Sequence, residues 1–307
     1  MLKVDSLAKR YGETIAVDGV SFEVSGGECF GLLGPNGAGK TTTISMICGV
    51  TKPDSGNLTL NGVSWNRDPA SVKGRIGYVP QELALYQEID ARENLRFFGS
   101  LYGLFGSECE KRIDATLEMV GLSDRAKEPV SRFSGGMKRR LNIASGLLHE
   151  PDLLVLDEPT VGIDPQSRNA IFDTLELLRG EGKTLLYTTH YMEEVERLCQ
   201  RVAIMDHGKI VAAGDLQELK QCEGNRGFVT IQLKQELDEG ARHRLATQLG
   251  CRCEGPLILA PFEDLSRDIS ILLTHLAADG HEVVSVKSSE ASLEQIFLRT
   301  TGRKLRD

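Results

Sequence analysis

The chain has 307 residues, 40% hydrophobic and 26% charged, with a net charge of -8 and a pI near 5.4. This size favours one large domain with a smaller appendage, and the composition is that of an ordinary globular protein. The acidic balance argues against a surface built to neutralise nucleic-acid phosphates, so no nucleic-acid partner is expected, and no apolar run approaches the ~20 residues needed to cross a bilayer.

The start, Met1 to Tyr11, carries Asp5, Lys9 and Arg10 and lacks the apolar centre of a signal peptide, so the chain is expected to stay in the cytoplasm. Val20-Phe22-Val24 and Leu58-Leu60 read as strands, the latter followed by the turn Asn61-Gly62, and predict an antiparallel flank. Between them an apolar run, Cys29 to Leu33, leads into Gly34-Pro35-Asn36-Gly37-Ala38-Gly39-Lys40-Thr41-Thr42, the phosphate-loop pattern. Its glycines let successive backbone N–H groups curl around the phosphates of a nucleoside triphosphate. Lys40 adds a point charge, Thr41 offers a hydroxyl to magnesium, and the helix expected from Lys40, with Ile44, Met46 and Ile47, directs its positive end at the anion. A chance match in a glycine-rich turn is the bland alternative, and the strand-loop-helix setting weighs against it.

After the strand Ile76 to Val79, the interval from Gln81 to Phe133 reads as a helical insertion, with Leu95, Phe98 and Leu101 on one face and Ile113, Leu117 and Val120 on another. Ser134-Gly135-Gly136 then precedes the basic run Met137 to Leu141, so Ser134 suits a helix cap and the glycines expose a second anion-binding turn. Arg139 and Arg140 are read as a solvated helix face rather than as nucleic-acid contacts. Leu153 to Leu156 is an apolar run suited to a central parallel strand, and it ends in Asp157 and Glu158. At such a strand end Asp157 could hold the magnesium shell and Glu158 could polarise a water, whereas a bare Asp-Glu loop start is the plain alternative. Alternating apolar and amphipathic runs to about Asp215 predict parallel strands crossing over through helices.

A polar stretch, 221–227, reads as a linker. Beyond it the order is strand (Val229, Ile231, Leu233), helix (Leu237 to Leu249), strands at Cys251 to Glu254 and Leu257 to Ala260, helix (Ile269, Leu272, Leu273, Leu276) and strand (Val283 to Val286). That β-α-β-β-α-β order predicts a small ferredoxin-like domain over 228–307. A last helix with Leu293, Ile296 and Phe297 is expected to pack an apolar face. The cysteines number 7, without a paired framework, which suits reduced thiols. Cys251-Arg252-Cys253 is better explained by alternate strand positions than by a metal.

The phosphate loop, Ser134-Gly135-Gly136, Leu153 to Glu158, Gly162-Ile163-Asp164 and Thr189-His190 occur in the order and approximate spacing of the nucleotide-binding subunits of ATP-binding-cassette (ABC) transporters, which residues 1–220 resemble. The wording from Phe133 to Leu141 and the appended C-terminal unit are similar to bacterial exporter subunits of the drug and lipo-oligosaccharide efflux type. The resemblance implies an α/β P-loop NTPase of ABC type, with a parallel-sheet core, an antiparallel flank and a helical subdomain over about 81–133. It implies ATP and Mg2+ as cofactors. Tyr11 would stack on adenine, Gln81 would bind magnesium or water, and His190, ending the strand Leu185 to Thr189, would contact the γ-phosphate and orient the water-activating group. Two such chains, as a homodimer, would close head to tail around two ATP molecules, with Ser134, Gly135 and Gly136 of one covering the phosphate held by Lys40 of the other, and with Asp164 among the nucleotide-binding residues. The chain would sit at the cytoplasmic face of the cell membrane, where a separate transmembrane permease would convert closure into export. Met137 stands where such subunits often carry glutamine, which removes a side-chain amide, and Ile163 is a conservative replacement of leucine. The rival readings are a soluble ABC-type ATPase acting on ribosomes or DNA and a non-hydrolysing nucleotide switch; the compact insertion and acidic balance disfavour the first, and Glu158 with His190 disfavours the second.

Overall fold

In the computed structural model, which describes residues 1–222, 227–262, 264–289, Leu293, Ile296 and Phe297, the chain opens on two long antiparallel strands. These are β1 (Leu2–Tyr11) and β2 (Thr14–Val24), followed by β3 (Cys29–Leu33), α1 (Lys40–Ile47), β4 (Ser55–Leu60) and β5 (Val63–Ser64). Asn61 and Gly62, both at positive φ (50° and 79°), form the tight turn between β4 and β5, as their residue types require. Next come α2 (Pro69–Lys73), capped by Asp68, and β6 (Ile76–Val79). The helical insertion consists of α3 (Ala91–Leu101), which starts in a capping box made by Asp90 and Glu93, and α4 (Gly106–Met119). Then follow α5 (Gly135–Leu147), β7 (Leu153–Asp157), α6 (Pro165–Gly180), β8 (Thr184–Thr189), α7 (Met192–Leu198), β9 (Arg201–Asp206) and β10 (Lys209–Asp215).

Two sheets organise this part of the chain. One is antiparallel, ordered β2-β1-β4-β5; the other is ordered β10-β9-β3-β8-β7-β6, with β9, β3, β8, β7 and β6 parallel and β10 antiparallel at the edge. Every residue of β3, β7 and β8 is buried, which is why β3 and the Leu153 to Leu156 run of β7 read as continuously apolar rather than alternating. Phe22 of β2 stacks on Phe30 of β3 at 5.2 Å, so the core is shared between the two sheets. Leu95, Ile113, Leu117 and Val120 pack with Leu141 and Leu148 into a separate cluster for the helical insertion. Leu101 does not join them: it is 64% exposed at the end of α3. At the start of β3, the buried thiols of Cys29 and Cys199 lie 3.6 Å apart.

The chain divides into two compact units, the first Met1–Leu216 and the second beginning at Gln217. In the second, α8 (Leu216–Cys222) is followed by β11 (Gly227–Leu233), α9 (Glu239–Leu249), β12 (Arg252–Glu254), β13 (Leu257–Phe262), α10 (Leu265–Ala278) and β14 (Val283–Ser289). Of the stretch read as a linker, Gln221 and Cys222 are helical, Gly227 opens a strand and 223–226 lie outside the described residues. The sheet is antiparallel throughout, ordered β12-β13-β11-β14. Val229 and Ile231 pack against Ala241, Leu272 and Leu276, giving this unit its own core. Leu293, Ile296 and Phe297 are helical and buried; the rest of the expected last helix lies outside the described residues.

Candidate functional site

Because β3, β8 and β7 are adjacent in the parallel sheet, their carboxyl ends open side by side, the edge of an α/β sheet where ligand sites form. Gly34 follows β3, His190 follows β8 and Glu158 follows β7. The loop after β3 tolerates no side chain at two of its glycines: a Cβ on Gly34 would sit 2.4 Å from the Met205 carbonyl, and one on Gly39 would sit 2.4 Å from the Ala16 carbonyl. Gly39, at φ 101°, caps α1 without a side chain, which leaves the first N–H groups of that helix without a side-chain acceptor.

Lys40 turns back under the loop. Its Nζ donates to the carbonyls of Gly34 (2.7 Å) and Pro35 (3.1 Å) and pairs with Glu158 Oε1 at 3.0 Å. Glu158 itself has φ 45°, a left-handed conformation unusual for a residue with a side chain. Its N–H donates to Thr188 Oγ1 at 3.0 Å, and its second oxygen lies 3.3 Å from His190 Nδ1, without the alignment of a hydrogen bond. Asp157 accepts from Thr188 Oγ1 at 2.8 Å and, more weakly, from Thr41 Oγ1 at 3.5 Å, both through Oδ1. Its Oδ2 is buried with no hydrogen-bond partner. Burial pushes the Asp157 carboxyl above the usual carboxylate range, and the hydrogen bonds from Thr188 and Thr41 only partly offset this. A bare carboxylate oxygen beside a threonine hydroxyl is a hard-oxygen donor set that fits a divalent cation.

The family profile described as ABC transporter matches residues 17–161 of this chain. The chain is 45% identical over 316 residues to the linearmycin resistance ATP-binding protein LnrL of Bacillus subtilis (strain 168), with 100% of both chains covered. The chain belongs to the ABC transporter family. A Nod factor export ATP-binding protein I of Ralstonia nicotianae is 41% identical over 309 residues, covering 100% of this chain and 95% of the relative. Among solved structures, an ATP-binding subunit of an ABC transporter is 32% identical with a TM-score of 0.65, covering 73% of this chain and 93% of that one. A dimeric ATP-binding cassette in a post-hydrolysis state, bound to ADP and Pi, is 26% identical with a TM-score of 0.63, covering 70% of this chain and 99% of that one. The P-loop fold of ABC type and a transport-coupled ATPase are therefore the reading that stands, in preference to a soluble ATPase acting on ribosomes or DNA. ABC ATP-binding subunits bind ATP, dimerise and work with a membrane permease. Among the described residues, no helix is long and apolar enough to cross a membrane.

Other ABC-type positions lie apart from the Lys40-Glu158-His190 cluster. Tyr11, at the end of β1, is 52% exposed with the Lys9 ammonium 5.6 Å from its ring centre. Ser134 caps α5, its Oγ accepting the Met137 N–H at 3.2 Å, and Asp164 caps α6 by accepting from the Ser167 N–H at 3.0 Å. Gly136 is pressed against α6, where an added Cβ would lie 2.2 Å from Ser167 Cβ. The side chain of Gln81 is exposed, but its main chain is held. Arg139 does this, donating to the carbonyls of Pro80 (2.8 Å) and Gln81 (2.5 Å).

That contact corrects the solvated-face expectation for Arg139, which is 4% exposed and whose guanidinium is pushed below its usual range by burial. Arg140 is also engaged, donating to the Val120 carbonyl at 2.7 Å. Two peptide carbonyls beneath α5 supply what water would have given the Arg139 charge, so a charged run became an anchor between the Ser134 helix and the Gln81 segment. The available signal was the spacing of Arg139 with Gly136, Ile143 and Gly146, three to four residues apart on the buried face. Thr188 was also missed, although its penultimate position in β8 sets it directly opposite Asp157.

Proposed function

We propose that this chain is the ATPase subunit of an export-type ABC transporter, and that Lys40, Asp157, Glu158 and His190 carry its chemistry. The observation that supports the reading best is the convergence of Lys40 and His190 on the two oxygens of Glu158. Lys40 and the backbone of Gly34 to Thr42 would bind the β- and γ-phosphates. Thr41, Asp157 and Gln81 would hold Mg2+, which when bound neutralises developing phosphate charge; the unpartnered Asp157 Oδ2 is what makes the fit. Glu158 then polarises a water for attack on the γ-phosphate, and His190 orients Glu158 and donates to the phosphate.

Tyr11 supplies a stacking face for adenine. Ser134, Gly135, Gly136 and Asp164 serve the second nucleotide across a homodimer. Ser134 Oγ accepts the Met137 N–H, which leaves its O–H to donate, so the Ser134 hydroxyl and the N–H groups of Gly135 and Gly136 at the start of α5 are the donors toward phosphate. We take 1–220 as the ABC domain and 228–307 as a ferredoxin-like domain, with the chain on the cytoplasmic face of the membrane beside a separate permease. The names of the relatives, resistance and Nod factor export, support export as the direction.

Glu158→Gln is the deciding variant. It keeps the shape and the contact to Lys40 but removes the base, so turnover falls by about a hundredfold or more while ATP binding persists and an ATP-dependent dimer accumulates in size-exclusion chromatography. Hydrolysis at the parent rate would remove Glu158 from this role.

A further inference from the structure

Behind the cluster lies a second carboxylate that the chemistry above does not use. Glu194, in α7, is 3% exposed. Its Oε1 accepts from Thr160 Oγ1 at 2.6 Å, and its Oε2 accepts from Tyr187 Oη at 2.9 Å and Thr189 Oγ1 at 2.6 Å. All three hydroxyls belong to residues that are completely buried. The nearest cation is Arg168, with Nε 4.0 Å from Oε1 and without a hydrogen bond of its own. A buried carboxylate held mainly by hydroxyls is costly, and an aliphatic side chain would fill the same space more cheaply.

What the carboxylate alone can do is accept three hydrogen bonds at once. An amide accepts at one of its two atoms and donates at the other, so wherever its NH2 stands a buried hydroxyl proton loses its acceptor. The three donors are not scattered. Thr160 stands two residues beyond Glu158, and Thr189 immediately precedes His190. Thr189 Oγ1 also accepts the Tyr191 N–H at 2.9 Å, and the Thr189 carbonyl accepts the Gly34 N–H at 3.4 Å. The Tyr187 phenol is held protonated by burial and by the Glu194 charge, which keeps it a donor.

We infer that Glu194 is a positioning residue for ATP hydrolysis: by clasping Thr160 and Thr189 together it fixes the segment after Glu158 against the strand end that carries His190, and so sets the geometry of that pair. The inference rests on the roles given above to Glu158 and His190. Glu194 touches neither nucleotide nor water; it acts through the backbone on both sides of the site.

The test uses the full chain and steady-state ATP hydrolysis. Glu194→Gln lowers kcat by about tenfold or more, with KM for MgATP close to the parent value. The double-mutant cycle with His190→Ala is the readout that a purely structural part would not move. If Glu194 acts through His190, then Glu194→Gln in the His190→Ala background costs less than about threefold, because the geometry it protects is already lost. Should Glu194→Gln fail to fold, Tyr187→Phe and Thr160→Val each remove one donor and leave the carboxylate, and each lowers kcat with KM held. An unchanged kcat, or losses that multiply in the cycle, overturns the inference while leaving the site reading intact. Parent turnover in both His190→Ala and Glu158→Gln overturns the site reading and this inference with it.

Discussion

At the scale of single residues, Asp157 shows what the site costs. Its carboxyl is pushed above its ordinary value of 3.8, chiefly by burial, so the folded protein holds that proton to higher pH than the unfolded chain does. Between the two values the folded state binds more protons, and stability from this group falls as pH rises. At neutral pH, Asp157 is therefore a net cost. Asp157→Asn raises the melting temperature at pH 7.5, by roughly 2–4 °C for each kcal/mol relieved, and the gain shrinks toward pH 4, while hydrolysis is lost; scanning calorimetry at the two pH values checks both signs. Gly34, Lys40, Thr41, Asp157 and Glu158 were all legible in the sequence because their chemistry is written in local spacing. Glu194 was not, because it stands among charged neighbours, Glu193, Glu196 and Arg197, and its three hydroxyl partners come from β8 and the loop after β7.

Among elements, the contact between α5 and α6 carries a sharp steric demand. An added Cβ on Gly136 would fall 2.2 Å from Ser167 Cβ, so the two helices must part. Gly136→Ala costs about 1–3 kcal/mol by overpacking, and Ser167→Gly in the same chain recovers most of it; thermal melts of the single and double variants test the pairing. Strands were read well from sequence because full burial leaves near-continuous apolar runs, Cys29 to Leu33 in β3 and Leu153 to Leu156 in β7. The faces of the helical insertion were read less well. Leu101 has helical spacing with Leu95, yet α3 ends there and the chain turns away at Tyr102 and Gly103 before a partner helix can cover it. Arg139 failed in the opposite sense, since charge suggests solvent while the acceptors that bury it, two carbonyls from 59 and 58 residues away, leave no mark in its own segment.

For the whole molecule, the order of strands and helices in the second unit was readable from alternation alone, whereas its strand order follows from pairing across long separations that no local pattern encodes. Each unit closes its own core, and each has also sealed thiols inside it. Cys29 and Cys199 lie in the first, and Cys251, 3% exposed, lies in the second. The contact with Cys29 and burial drive the Cys199 thiol upward, and burial pushes Cys251 up to about 12, so neither offers a thiolate near neutrality. An alkylating reagent reaches them only when the surrounding structure opens. The chain thus carries a built-in clock in each half: peptide mapping after timed exposure to iodoacetamide reads how often each core breathes. MgATP, by binding the folded first unit, slows the clock at Cys199 in proportion to its occupancy.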